Sequence, residues 1–151
     1  MSRASLDEQI AAADAAGGEA DAWVALVRFL TWAVEARAGA LSALAGRFEP
    51  EPETRAAARL AHERLDDLVQ RAQRAGDLRP DVTSIDIHEL IALISRRPVD
   101  DDQQYRRLLA VVLGGLQDTR TPLPSPAPLW QPYAQRWQRS PPGDAGSGVE
   151  V

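Results

Sequence analysis

Cysteine is absent from this 151-residue chain, which removes disulfides, thiolate metal sites and cysteine nucleophiles together. Lysine is absent as well, and all 17 basic residues are arginine, a pattern that reads as GC-rich coding bias before it reads as chemistry. Aromatic residues number only eight against 26 alanines, a balance that favours helices and requires no strand. The longest apolar stretch, Leu108 to Leu116, is far short of the roughly 20 residues that span a bilayer, and no signal-peptide pattern opens the chain. A cytoplasmic protein with no membrane association is the default expectation. The formal charge of -5 repels phosphate backbones, so strong nucleic-acid binding by these residues alone is disfavoured.

The apolar residues that are present fall at helical spacing. "SLDEQIAAADAA" places Leu6, Ile10 and Ala13 on one side, with Ser5 as a candidate N-cap and Gly17-Gly18 as a stop. Asp21 can cap a second helix in which Trp23, Leu26, Val27, Leu30 and Val34 form the strongest amphipathic stripe in the chain. Phe29 and Trp32 lie off that stripe, so this helix should touch neighbours on more than one side. A short helix is expected around Leu41 to Ala45. A long one follows the break "EPEPE", from about Thr54 to Ala75, with Leu60, Ala61, Leu65, Leu68, Val69 and Ala72 inside and Gly76 at its end.

Thr83 and Asp86 make a capping-box pattern for a helix over 84–95, whose apolar residues cover a broad arc. The last long helix is expected over 102–117, with Tyr105, Leu108, Leu109, Val112 and Leu116 on one face. Both helices are apolar over more of their circumference than an antiparallel pair would bury, which suggests a four-helix bundle completed by a second copy. Gly114 and Gly115 would allow close approach there, or they only loosen the helix end. From Thr119 the composition changes, and seven of the 11 prolines lie beyond it. The chain therefore divides into a helical domain over 1–118 and a Pro-rich, largely disordered tail over 119–151. Within the tail, Trp130, Tyr133 and Trp137 stand at helical spacing, either anchoring a partner protein or folding back over a groove of the parent domain.

Catalytic motifs are missing, with no convergent acid, base and nucleophile, so an enzyme is not expected. His62 and Asp66 stand four apart on the long helix and could share a metal, but two or more further ligands would be needed. His88, between Asp86 and Glu89, suits a solvated or interface position. No metal and no cofactor are expected.

The segments "DAWVALVRFLTWAVEARAGALSALAG", "RAQRAGDLRPDVTSIDIHELIALIS" and "YRRLLAVVLGGLQ", in this order, resemble the C-terminal ligand-binding and dimerization domain of TetR-family transcriptional regulators. The most specific part is "AQRAGDLRPDVTSIDI", where such proteins pass from a pocket helix to the first dimerization helix. The resemblance covers about residues 5 to 118. It implies an all-α bundle of five to six helices that dimerizes through its last two, and a small apolar or amphipathic ligand. By position, the implied pocket residues are Trp23, Val27, Leu30, Val34, His62, Leu65 and Val69. The implied interface residues are Ile87, Leu90, Ile94, Leu108, Val112 and Leu116. The family's helix-turn-helix unit would precede this region, and only one short helix stands before Trp23. The expectation is thus a repressor's sensing and dimerizing part that meets DNA only through a head absent from these residues, whether as a fragment, from a misplaced start, or as a stand-alone sensor. The competing reading is a helical interaction module that binds a partner through the aromatic tail.

Overall fold

The computed structural model describes residues 3–36, 51–96 and 102–136. It contains six helices, α1 (Arg3–Gly17), α2 (Ala22–Glu35), α3 (Pro52–Arg74), α4 (Ser84–Ser95), α5 (Asp102–Gln117) and α6 (Trp130–Arg136), and no strand among the described residues. The helix expected near Leu41 to Ala45 lies outside the described residues. α3 starts two residues earlier than the Thr54 expected, because Pro52 fits the first helical turn, where its missing N–H would have no intrahelical partner.

α1 and α3 run side by side in the same direction. Leu6 meets Ala57 and Ala61 at one end, Arg64 Nε reaches Asp14 at 2.7 Å midway, and Arg71 donates to the carbonyls of Gly17 and Glu19 at 3.0 and 2.8 Å at the other. A guanidinium at that point satisfies carbonyls at and just beyond the helix end and complements the negative end of the α1 dipole. Asp21 then opens α2 by accepting from the Val24 N–H at 2.9 Å.

One apolar core holds α1 to α5 together. Leu26, Phe29, Leu30 and Ala33 of α2, Leu65, Leu68 and Val69 of α3, and Ile87, Ile91 and Ile94 of α4 are buried in it, with Leu109 and Leu116 of α5. Phe29, off the sequence stripe, is the largest wholly buried side chain, at 0 % exposure. α2 thus buries two adjoining faces because it touches α1, α3 and α4 at once.

The stretch from Gly76 to Thr83 is the tightest junction. Gly76 adopts φ +82°, and the N–H groups of Gly76 and Asp77 donate to the carbonyls of Gln73 and Ala72, both at 3.0 Å. That pattern is a Schellman closure, in which a left-handed glycine ends the helix. Asp86 Oδ2 accepts from the Thr83 N–H at 2.8 Å to begin α4. The backbone N–H of Arg79 donates to the carbonyl of Leu116 at 3.0 Å, so the end of α5 returns to the start of α4 and the two form an antiparallel hairpin.

The Pro-rich segment expected to be a largely disordered tail is described as far as residue 136 and folds back on the domain. Its path is fixed by Arg79, a side chain 9 % exposed. The guanidinium pairs with both carboxylate oxygens of Asp81 and donates to the carbonyl of Thr121. Asp81 Oδ2 in turn accepts from the Leu123 N–H at 3.0 Å. The Arg79 hydrogen bond and the Leu123 N–H hold the Asp81 carboxyl down at about 2, from an ordinary value of 3.8. A depressed carboxylate adds stability that is present above the ordinary value and lost as pH falls through about 2. Asp81→Asn is therefore expected to flatten the last part of an acid titration of helicity by circular dichroism. A titration curve superimposable on the parent below pH 4 would show that the clasp adds nothing.

Candidate functional site

The seven expected pocket residues separate into two groups. Leu30, Val34, Leu65 and Val69 are wholly buried in the shared core of α2, α3 and α4, with Trp23 packed against it. Val27 is half-buried, and its carbonyl accepts from Thr31 Oγ1 at 2.8 Å. His62 is elsewhere, on the part of α3 that faces α4 and α6.

There it meets a residue the sequence did not connect to it. The rings of His62 and His88 lie 6.0 Å apart at an interplanar angle of 24°. Trp130 of α6 stacks on His62 at 3.9 Å and 11°, and Tyr133 lies 6.4 Å from His88 at 18°. Both tail aromatics thus cover the histidine pair, which is the fold-back alternative the sequence left open. Trp137 is outside the described residues.

Two ring nitrogens of this pair, His62 Nδ1 and His88 Nε2, are sealed from solvent and have no hydrogen-bond partner. Leaving a buried polar group unmatched costs roughly 1–3 kcal/mol. Burial pushes His88 down to about 4 from 6.5, with the neighbouring His62 adding to the shift. Burial also lowers His62, while Asp66 and Glu63 partly hold it up. Both imidazoles are therefore neutral near pH 7. The oxygens of Asp66, four residues on from His62, accept from Ser84 Oγ at 3.0 Å and Gln70 Nε2 at 2.6 Å. No cluster of three or more metal-ligating side chains occurs among the described residues.

The six expected interface residues also divide. Ile87, Ile94 and Leu116 are buried in the chain's own core, at 0 %, 5 % and 6 % exposure. Leu90, Leu108 and Val112 are half-buried against it. The residues that α4 and α5 present outward are others: Leu93 is 63 % exposed and Val111 67 %. Beside Val111, the exposed Arg107, Ala110, Gly114 and Gly115 continue the same face of α5. A Cβ built on Gly114 or Gly115 would meet nothing within 4 Å, so no packing inside the chain requires glycine at either position.

Helices layered around one core, with an α4–α5 hairpin carrying an outward apolar face, define an all-α domain of the kind found in the C-terminal part of transcriptional regulators. The model of one such family, described as the C-terminal domain of SbtR-like transcriptional regulators, matches residues 19–118. The chain therefore belongs to that family of TetR-type C-terminal domains, which are in general non-enzymatic. The match runs from α2 to α5, and α1 and α6 lie outside it. No curated protein matches the chain. No helix among the described residues is long and apolar enough to cross a membrane.

Proposed function

We propose that the chain is the ligand-sensing and dimerizing part of a TetR-like transcriptional repressor, acting in the cytoplasm. The observation that carries this reading is the family match over residues 19–118. In this reading a small apolar or amphipathic molecule bound among the central helices favours one of two states of the dimer, by binding that state more tightly. Contact with the operator is made by a helix-turn-helix unit that α1 to α6 do not include. The aromatic tail as a docking segment for a foreign protein is the weaker reading, since Trp130 and Tyr133 are stacked inside the chain.

The dimer is assigned to the outward face of α4 and α5, with Leu93 and Val111 as its exposed apolar residues and the half-buried Leu90, Leu108 and Val112 at its base. Ile87, Ile94 and Leu116 support the face from below. A two-fold axis through this hairpin would set the same face against itself and close a four-helix bundle.

Gly114 and Gly115 give the sharpest test. Glycines that merely loosen a helix end become stabilising when replaced, by about 0.8–1 kcal/mol each for alanine in a helix interior, with no effect on association. Glycines that admit a partner backbone do the opposite to association. Gly114→Ala with Gly115→Ala is therefore expected to weaken the dimer at least tenfold by sedimentation equilibrium, and Val111→Glu to leave monomer at low micromolar concentration. A parent chain that sediments as a monomer, or variants that associate as well as the parent, would remove the interface from the proposal.

A further inference from the structure

α5 ends without the devices that close α3. Its last turn carries no basic side chain to face the negative end of its dipole. No left-handed glycine follows it among the described residues, whereas Gly76 in that conformation closes α3. Gly114 and Gly115 lie within or next to that turn, and glycine is the weakest helix former after proline. Nothing in the chain packs where their Cβ atoms would be. Left to itself, such a helix end frays.

Its carbonyls are met instead from the α3–α4 junction. The Arg79 N–H donates to the carbonyl of Leu116 at 3.0 Å, and the guanidinium reaches that of Gly115 at 3.5 Å. The junction is itself fastened to α3, because Gln73 Nε2 donates to the carbonyls of Arg79 and Val82 at 3.2 and 2.8 Å. Arg79 thus supplies both the donors and the positive charge that the end of α5 lacks.

The same guanidinium holds the root of the strap that leads to α6. It donates to the carbonyl of Thr121, and its partner Asp81 accepts from the Leu123 N–H at 3.0 Å. Just before them, Asp118 accepts from the N–H of Arg120 at 2.9 Å and turns the chain. Thr121, Pro122 and Leu123 are exposed, so water competes for these bonds. At the far end of the strap, Trp130 stacks on His62 at 3.9 Å. Two attachments of one short strap reinforce each other, since closing one raises the effective concentration for the other.

Resting on the dimer reading above, we propose that α6 is a switch for the last turn of α5. Seated on α3 and α4, it keeps the Arg79 clasp closed and that turn helical. Lifted, it lets the glycine turn fray and loosens the face that meets the second copy. The action is indirect. His88, against Tyr133, and the outward Leu93 are five residues apart on α4, about 140° around the helix, so α6 and the dimer face lie on different sides of it.

Hydrogen exchange and sedimentation equilibrium test this on the full chain, with the parent, Trp130→Ala, Arg79→Lys and the double variant. Trp130→Ala is expected to quicken exchange at the amides of residues 114–117 about fivefold, to leave those of 26–30 in α2 unchanged, and to weaken the dimer by a similar factor. Arg79→Lys keeps the charge but loses the fork that spans Asp81, Gly115 and Thr121, so it loosens the same turn. Adding Trp130→Ala to it is expected to change either reading by less than about twofold. Should the first variants fail to fold by circular dichroism, Tyr133→Ala lifts α6 and Asp81→Asn opens the clasp. Unchanged exchange at 114–117 in Trp130→Ala, faster exchange with an undiminished dimer, or effects that simply add in the double variant overturn the switch. A parent that is monomeric yet shows the exchange response sinks the interface alone. A dimer whose α5 amides ignore α6 sinks the switch alone.

Discussion

Between pH 6.5 and pH 4 the domain is expected to lose about 3 kcal/mol of stability through His88 alone. The unfolded chain protonates this imidazole near its ordinary value of 6.5, whereas the folded chain resists until about 4 because the ring is buried beside His62. Across that interval the unfolded state holds the extra proton, so stability is full above pH 6.5 and falls until about pH 4, where the two states carry the same charge again. His62 is lowered as well and adds to the loss in the same direction. Urea unfolding in steps of pH would give a midpoint that falls steadily through this window. His88→Phe, which keeps a flat ring against Tyr133, is expected to remove most of the slope. A parent profile flat from pH 7 to 4 would mean that the ring is open to solvent and that α6 does not cover it.

Truncating the largest wholly buried side chain should have the greatest effect of any single substitution. Phe29→Ala is expected to cost roughly 3–5 kcal/mol, the transfer free energy of the ring plus the cavity it leaves. Phe29 has 0 % exposure and lies in the core that α2 shares with α1, α3 and α4, so no single helix can shift to fill the gap without opening another contact. Against a total stability of about 5–15 kcal/mol for a domain of this kind, a loss of that size would leave a chain that melts near or below ordinary working temperatures. Denaturant midpoints compared at constant slope would give the value. A cost near 1 kcal/mol would place Phe29 at the rim of the core.

The helices were legible because each is written locally. Asp21, Pro52, Gly76, and Thr83 with Asp86 are caps and stops whose action spans only a few residues. Burial was less legible, because periodicity reports one face of a helix and α2 buries two. The stripe from Trp23 to Val34 leaves Phe29 to one side, as a residue that should touch a further neighbour but with no sign that it is the best buried, and it includes Trp23 and Val27, which are only half-buried. The same limit applies to α4 and α5: a broad apolar arc cannot say which part faces the home core and which faces outward. Ile87 and Leu93 look alike in sequence, yet one is sealed and the other is 63 % exposed.

The histidine site shows a different limit. His62, His88 and Trp130 were each visible as unusual residues, but stacking between positions 26 and 68 residues apart in the chain leaves no spacing signature. Tail composition weighed against order, since proline and exposed polar residues dominate it. Three aromatics at helical spacing were the one local sign that part of it could bury a face. Arg79 left no sign at all. It reads as one more arginine in a turn, and its role depends on carbonyls supplied from far along the chain.

That dependence sets an order of assembly during synthesis. Two of the carbonyls that accept from the Arg79 side chain, those of Gly115 and Thr121, lie 36 and 42 residues further on. At a translation rate of about 5–20 residues per second, the guanidinium waits on the order of seconds before its partners have been made, with only Asp81 beside it. α1 to α4 must therefore pack around an unfinished joint, and the joint closes only when the ribosome has delivered the segment that follows α5. A nascent chain halted before Thr121 would lack the clasp that directs the following segment to its seat.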